Sequence, residues 1–203
     1  MTDMWENERR IASLGYAAIC GCDEAGAGPL AGPVYAAAVI LPFGEFIDGL
    51  DDSKKLTEKK REALFSKIKD RAAAFAVSSV SAAEIDEMNI LNARMLAMRR
   101  AVALLPEKPG FVLIDGNCGR GFELPHECIV GGDGLSANIA AASILAKVSR
   151  DEYMRRLNDE YPGYHFDRHK GYGTKLHYAA LDELGPCPEH RMTFLRKYYE
   201  RRS

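Results

Sequence analysis

Gly21-Cys22-Asp23-Glu24-Ala25-Gly26-Ala27-Gly28-Pro29-Leu30-Ala31-Gly32-Pro33-Val34 sets two adjacent acids directly before a run of glycines and prolines. Apolar runs flank the stretch. Residues 16–22 and 34–41 both read as strands, bounded by Gly and Pro. The segment is therefore strand, glycine-rich loop, strand. Gly26, Gly28 and Gly32 let backbone come close to a ligand with its N–H groups exposed as donors. No Gly-Lys-Ser/Thr follows, so this is not a Walker loop, and the Gly-x-Gly-x-x-Gly spacing of a dinucleotide fold is absent.

Asp23 and Glu24 fall at the end of the first strand in this reading. Neighbours on a strand point to opposite sides, so the pair shares one ion only where the strand ends or bulges. Two more acids have a similar setting. Asp115 closes the apolar run Phe111-Val112-Leu113-Ile114 and precedes Gly116-Asn117, and Asp133 lies within Gly131-Gly132-Asp133-Gly134. An ionised carboxylate at the end of an apolar strand is expensive to desolvate unless something pairs with it. Several in one place repel each other. A hard cation resolves both problems, and Mg²⁺ takes carboxylate oxygens together with waters and substrate phosphates. The pattern points to metal-assisted phosphoryl chemistry. The plain alternative is a set of solvated turns, since Asp-Gly is a common turn dipeptide.

Outward from this stretch, strands and helices alternate. Residues 74–80, 111–115 and 127–130 read as further strands. Thr57 is an N-cap for a helix to about Arg71, with Leu64, Phe65 and Ile68 on one face, and Ser81-Ala82-Ala83-Glu84 has capping-box spacing. Leu91, Met95, Met98, Val102 and Leu105 recur at helical spacing over 89–105, as a core face. Residues 135–158 form the longest helical pattern. Another helix spans about 174–184 and stops at Gly185-Pro186, and a last one begins near Arg191. Residues 159–173 have no period and interleave aromatics with His, Arg and Lys, which reads as a functional loop. Lys54 and Lys55 precede a helix and could meet phosphate or simply face water. Ala140-Ala141-Ala142-Ser143 makes a small-residue face for close packing, and Ser143 or Lys147, one turn apart, could face the site.

The chain of 203 residues, 47% hydrophobic and 28% charged, fits one soluble globular domain with a real core. No run approaches the roughly 18 apolar residues of a membrane span, and the mixed-charge N-terminus is not a secretory signal. A cytoplasmic protein is expected. Five cysteines, with no C-x-x-C pair, argue against zinc and against a disulfide framework. The net charge of −2 does not advertise nucleic-acid binding, but its distribution is uneven. Residues 1–146 carry 15 Lys+Arg against 20 Asp+Glu, whereas 147–203 carry 12 against 9 and hold four of the five histidines. An acidic site beside a mildly basic C-terminal part suits a phosphate backbone fed across a metal centre.

These residues resemble the ribonuclease HII family over nearly the whole chain. The matching blocks, in order, are Asp23-Glu24-Ala25-Gly26 through Val34; Asp52-Ser53-Lys54-Lys55-Leu56; Glu84-Ile85-Asp86 with Asn89-Ile90; Ile114-Asp115-Gly116-Asn117; Gly132-Asp133; Ile139 through Asp151; Tyr161-Pro162-Gly163-Tyr164; His169 through Thr174; and His190-Arg191. The resemblance implies an RNase H-like α/β fold, a mixed five-stranded sheet flanked by helices, forming a single catalytic domain over 1–203 with a C-terminal helical part from about 159. It implies an acidic quartet of Asp23, Glu24, Asp115 and Asp133 that holds Mn²⁺ or Mg²⁺ and hydrolyses phosphodiesters by a two-ion mechanism. The implied substrates are RNA–DNA hybrids and duplex DNA with embedded ribonucleotides, cut on the 5′ side of the ribonucleotide by a monomer. Gly26, Ala27 and Gly28 would sense the ribose 2′-hydroxyl through backbone atoms, with Lys54, Ser143, Lys147 and Tyr172 also at the substrate.

Two departures stand out. The family pattern has arginine at position 27, where this chain has alanine. It often has lysine before Gly132-Asp133 and a small non-glycine residue after it, where this chain has Gly131 and Gly134. The first keeps open an RNase H-like binding module with weak or lost catalysis. A glycoside hydrolase working through paired carboxylates is a further alternative. It calls for an aromatic sugar platform, and the single tryptophan, Trp5, lies near the N-terminus.

Overall fold

A computed structural model describes residues 3–50 and 56–200. In chain order the elements are α1 (Glu6–Ser13), β1 (Ile19–Ala25), β2 (Val34–Ile40), α2 (Glu58–Arg71), β3 (Ala74–Val80), α3 (Ala82–Met88), α4 (Ile90–Ala103), β4 (Phe111–Asp115), β5 (His126–Ile129), α5 (Ala137–Glu160), α6 (Phe166–His169), α7 (Lys175–Leu184) and α8 (Met192–Glu200). The five strands form one sheet in the order β3-β2-β1-β4-β5. β1, β2 and β3 pair antiparallel, while β4 joins β1 and β5 joins β4 in parallel. The expected mixed five-stranded sheet with flanking helices is present.

Both faces of the sheet are covered. Cys20, Cys22, Ala36 and Ala38 face α4 through Met95, Met98, Ala101 and Val102. Ala37 and Val39 face α2 and α5 through Leu64, Ile68, Ala141 and Leu145. The buried alanines of α5 bring that helix close to the sheet. Gly21 is what admits its first turn: a Cβ there would stand 2.1 Å from the carbonyl carbon of Asn138. Asn138 then ties two strands together, donating to the Ile19 carbonyl and accepting from the Leu41 N–H. Ser136 caps α5, and its hydroxyl donates to the buried Glu8 carboxylate of α1 at 2.6 Å. The chemistry-bearing ends of β1 and β4 are thus fixed against the start of one long helix.

Three sequence expectations need correction. β1 runs over Ile19–Ala25 rather than 16–22, because Ala18 takes a positive φ of 49° and breaks the extended run. Asp23 and Glu24 therefore lie inside a paired strand, opposite Ala37 and Ala36. The segment 159–173 is not an open loop. α5 continues to Glu160, a 3₁₀ turn covers Pro162–Tyr164, and α6 follows. Leu91 is exposed, while Met95, Met98, Val102 and Leu105 are core. All five cysteines are free thiols, and only Cys20 and Cys22 are fully buried.

The C-terminal helices have a small core of their own around Met154, Leu157, Tyr164, Phe166, Leu181 and Leu195. A row of buried histidines runs through it. The Tyr172 carbonyl lies 3.0 Å from His177 Nδ1 and accepts its proton. His177 Nε2 then accepts from His190 Nε2 at 3.0 Å, and His190 Nδ1 accepts from the Cys187 N–H at 3.0 Å. One proton fits between the two Nε2 atoms, so this arrangement requires both rings neutral. Burial, reinforced by the neighbouring His169, lowers both rings to about 4.

A histidine lowered on folding adds stability above its unfolded value and loses it as pH falls towards the folded value. The protein should therefore lose stability progressively from pH 6.5 towards pH 4. Urea unfolding at stepped pH measures this. In His177→Gln the slope between pH 6.5 and 5 should be shallower than in the wild type.

Candidate active site

The parallel pairing of β1 with β4 matches Cys22 with Ile114, so the next residues along, Asp23 within β1 and Asp115 at the end of β4, lie side by side. Asp23 faces α5 and is only 5% exposed. Its Oδ1 accepts the Glu24 N–H at 2.7 Å. Asp115 Oδ1 accepts the Gly132 N–H at 2.7 Å, which draws the 3₁₀ turn Gly132–Gly134, and Asp133 with it, against the strand ends. Glu24 points to the opposite face, as alternation requires, and meets the guanidinium of Arg94 on α4 at 2.5 Å.

The charges of this group act on one another. The Asp23 carboxyl is pushed well above the usual carboxylate range, first by burial, then by the negative charges of Glu24 and Asp115, and more weakly by Asp133. That is the electrostatic signature of acids gathered without enough positive charge. Among the described residues, no three His, Cys, Asp or Glu side chains stand close enough to form a finished metal cage. The donor set still fits a hard divalent cation. It is all carboxylate oxygen, it is concentrated at the strand ends, and its central member is destabilised in the ionised form by charges that a cation would offset.

A cleft of about 230 Å³ opens beside these acids. Asp23, Glu24 and Asp115 line it with the loop Gly26-Ala27-Gly28, with Ser143 and Lys147 of α5, and with Tyr172. Ser143 is buried, and Lys147 Nζ is held by Asp151 at 2.6 Å. Burial lowers the Lys147 ammonium. The Tyr172 ring is 46% exposed and lies beside Gly28, where a Cβ would stand 3.7 Å from its Cε1. Asp133 is buried and does not line this cleft. Lys54 lies outside the described residues. A larger depression, about 700 Å³, sits by the end of α4 and residues 121–124, away from the acidic cluster.

Two residues that local patterns did not single out shape the cleft from behind. Arg150 and Arg191 are both buried, at 1% and 0% exposure. Arg191 donates to the carbonyls of Gly32, Ala27 and Gly26 at 2.9, 3.0 and 2.7 Å. Arg150 donates to the carbonyls of Pro33, Ala31 and Lys170 at 3.1, 3.3 and 3.0 Å. Gly26 has φ +94°, and a Cβ on it would fall 2.0 Å from Arg150 Nε, so only glycine fits. With the carbonyls turned inward to the arginines, the N–H groups of Ala27 and Gly28 donate to no group among the described residues. The signal available in the sequence was their membership of the blocks Ile139–Asp151 and His190-Arg191. Arg94 carried none.

The model of the family described as Ribonuclease HII matches residues 20–201. This chain belongs to the ribonuclease HII family. It is an endoribonuclease of the type 2 ribonuclease H class. It is 53% identical over 194 residues to the ribonuclease HII of Endomicrobium trichonymphae, covering 95% of this chain and 92% of that one. The crystal structure of the ribonuclease H2 from Pyrococcus horikoshii superposes with a TM-score of 0.74 at 28% identity, over 90% of this chain and 97% of that chain. Bst-RNase HIII, solved in complex with Mn²⁺, shares the fold at a TM-score of 0.63 and 19% identity, over 81% of this chain and 69% of that one.

Because the folded state raises Asp23, its contribution to stability is fully present below the unfolded value of 3.8 and is lost as pH rises through the folded value. Burying this acid among other carboxylates works against the metal-free fold at neutral pH, far above its unfolded value. Asp23→Asn keeps the oxygen that accepts the Glu24 N–H and removes the charge. It should raise the melting temperature of EDTA-treated protein at pH 7 while abolishing cleavage. A lower melting temperature would contradict the electrostatic account.

Proposed function

We propose that this chain hydrolyses the RNA strand of RNA–DNA hybrids and cuts on the 5′ side of ribonucleotides embedded in duplex DNA, using Mg²⁺ or Mn²⁺ held by Asp23, Glu24, Asp115 and Asp133. The observation that carries this reading is the buried Asp23, destabilised by neighbouring acids at the edge of a cleft whose other wall presents backbone donors with no acceptor among the described residues. The Mn²⁺ bound by the RNase HIII neighbour supports it. Bound at the acids, the cations supply a Lewis acid for the phosphate and an ionised water at neutral pH, in a two-ion arrangement.

The chain's own groups do the positioning. The N–H groups of Ala27 and Gly28, on the lining of the cleft, can donate to a 2′-hydroxyl oxygen, which DNA lacks. Tyr172 offers an exposed ring beside Gly28 on which the sugar next to the ribonucleotide can rest. Lys147, held by Asp151, brings positive charge to the phosphate side of the cleft. Ser143 adds a hydroxyl to the same wall. Lys54 is assigned to the phosphate backbone on the family resemblance alone. Ala27 removes a side chain but leaves the backbone donors in place, and nothing favours a module that only binds. A monomer in the cytoplasm is part of this proposal. Among the described residues, no helix is long and apolar enough to cross a membrane.

Duplex DNA carrying one ribonucleotide should be cut 5′ to it in Mn²⁺ or Mg²⁺ and left intact in EDTA. The same duplex with a 2′-deoxy sugar should resist, because a site that bonds a hydroxyl is left with unpaired groups by an analogue lacking it. Equal cleavage of both duplexes would overturn the 2′-hydroxyl reading. Tyr172→Ala should lower turnover on the order of a hundredfold with little change in binding, as expected for misalignment near 1 Å. Its melting temperature should hold, since the ring is exposed.

A further inference from the structure

Arg94 differs from the other two arginines around this site. Every nitrogen-bearing arm of Arg191 is used, and Arg150 donates to three carbonyls. Arg94 instead makes an ion pair with Glu24 at 2.5 Å, with side chains 30% and 9% exposed, and its buried Nε has no hydrogen-bond partner among the described residues. A buried donor left unused works against folding, so the residue is poorly explained as a structural brace. Its charge is placed on a carboxylate of the acidic cluster, on the α4 face of the sheet.

We propose that Arg94 is a resident counter-cation of the acidic cluster, a positioning residue that holds Glu24 and competes with the divalent ion for its carboxylate. The inference rests on the cation reading above. Without a divalent ion, the guanidinium offsets part of the repulsion among Glu24, Asp23 and Asp115. An ion that takes Glu24 Oε1 makes it share or surrender a charge-assisted hydrogen bond, and through either carboxylate oxygen the guanidinium repels the ion along a short path. Arg94 therefore stabilises the metal-free protein and weakens its grip on metal.

The test is Mn²⁺ titration of the full chain by calorimetry, with melting temperatures recorded in EDTA and in Mn²⁺. Arg94→Gln, which removes the charge, should bind Mn²⁺ on the order of tenfold more tightly, the scale on which outer partners tune metal affinity. Its melting temperature in EDTA should fall, and the rise on adding Mn²⁺ should exceed that of the wild type. Arg94→Ala carries the same expectation should the glutamine variant fold poorly. Arg94→Lys keeps the charge and should bind as the wild type does. Unchanged or weaker Mn²⁺ binding in the folded neutral variants would overturn the inference while leaving the metal site standing. Wild-type Mn²⁺ binding that is absent, or that survives Asp23→Asn, would overturn the cation reading and this inference with it.

Discussion

Two buried guanidiniums hold the backbone of one loop, and much of the site depends on that arrangement. Removing Arg150 and Arg191 from water is expensive, and burial pushes Arg191 down to about 9. At neutral pH both remain charged, and their charge is met chiefly by carbonyl oxygens of residues 26–33 and 170. The planar fork of arginine suits this because it reaches several acceptors at fixed angles. The peptide units of Gly26 and Ala27 therefore turn their oxygens inward, leaving donors towards the cleft. These contacts hold the loop in place without a ligand, and on the proposed reading such preorganisation lowers the cost of recognition.

The same contacts join the C-terminal helices to the sheet. Arg191 N–H donates to the Leu30 carbonyl, Gly32 N–H to Glu189, and Leu30 N–H to Gly171. Tyr172 follows Gly171 directly, and the neutral histidine row holds its carbonyl from the other side. The tyrosine and the glycine-rich loop are consequently one unit, although more than 140 residues separate them in the chain. The acids are fixed by the parallel strands and by α5, and β1 carries Asp23 and Glu24 straight into this loop. The buried arginines brace that junction, Arg150 from α5 and Arg191 from the C-terminal part.

Most of the fold was legible from period and punctuation. β3 and β4 have the expected bounds, the Thr57 and Ser81 caps form as read, and α7 ends at Gly185. The misplaced β1 has a clear cause. Hydropathy favours ending a strand before two acids, but Ala36 and Ala37 opposite them are small, and the ladder continues. Residues 159–173 lacked a period because their order comes from a local core, with Tyr164 stacked on Phe166 at 5.2 Å. The acids and the glycine-rich loop were legible as candidates because each sits in an unusual local context, whereas Tyr172 came from the family resemblance. Arg94, Arg150 and Arg191 were not, since an arginine in a helix or loop looks like a solvated charge until its long-range partner is known. Ala27 is now easier to understand. Its contribution to the site is a carbonyl bound by Arg191 and an outward N–H, and neither needs a side chain.

The measurement closest to the central claim is single-turnover cleavage of a duplex with one ribonucleotide by Arg191→Lys, alongside its Mn²⁺ affinity. Lysine keeps the charge but cannot reach three carbonyls in one plane. The account predicts a rate lower by about a hundredfold, with Mn²⁺ binding unchanged because the acids are anchored elsewhere. A folded Arg191→Lys protein that cleaves at the wild-type rate would contradict it.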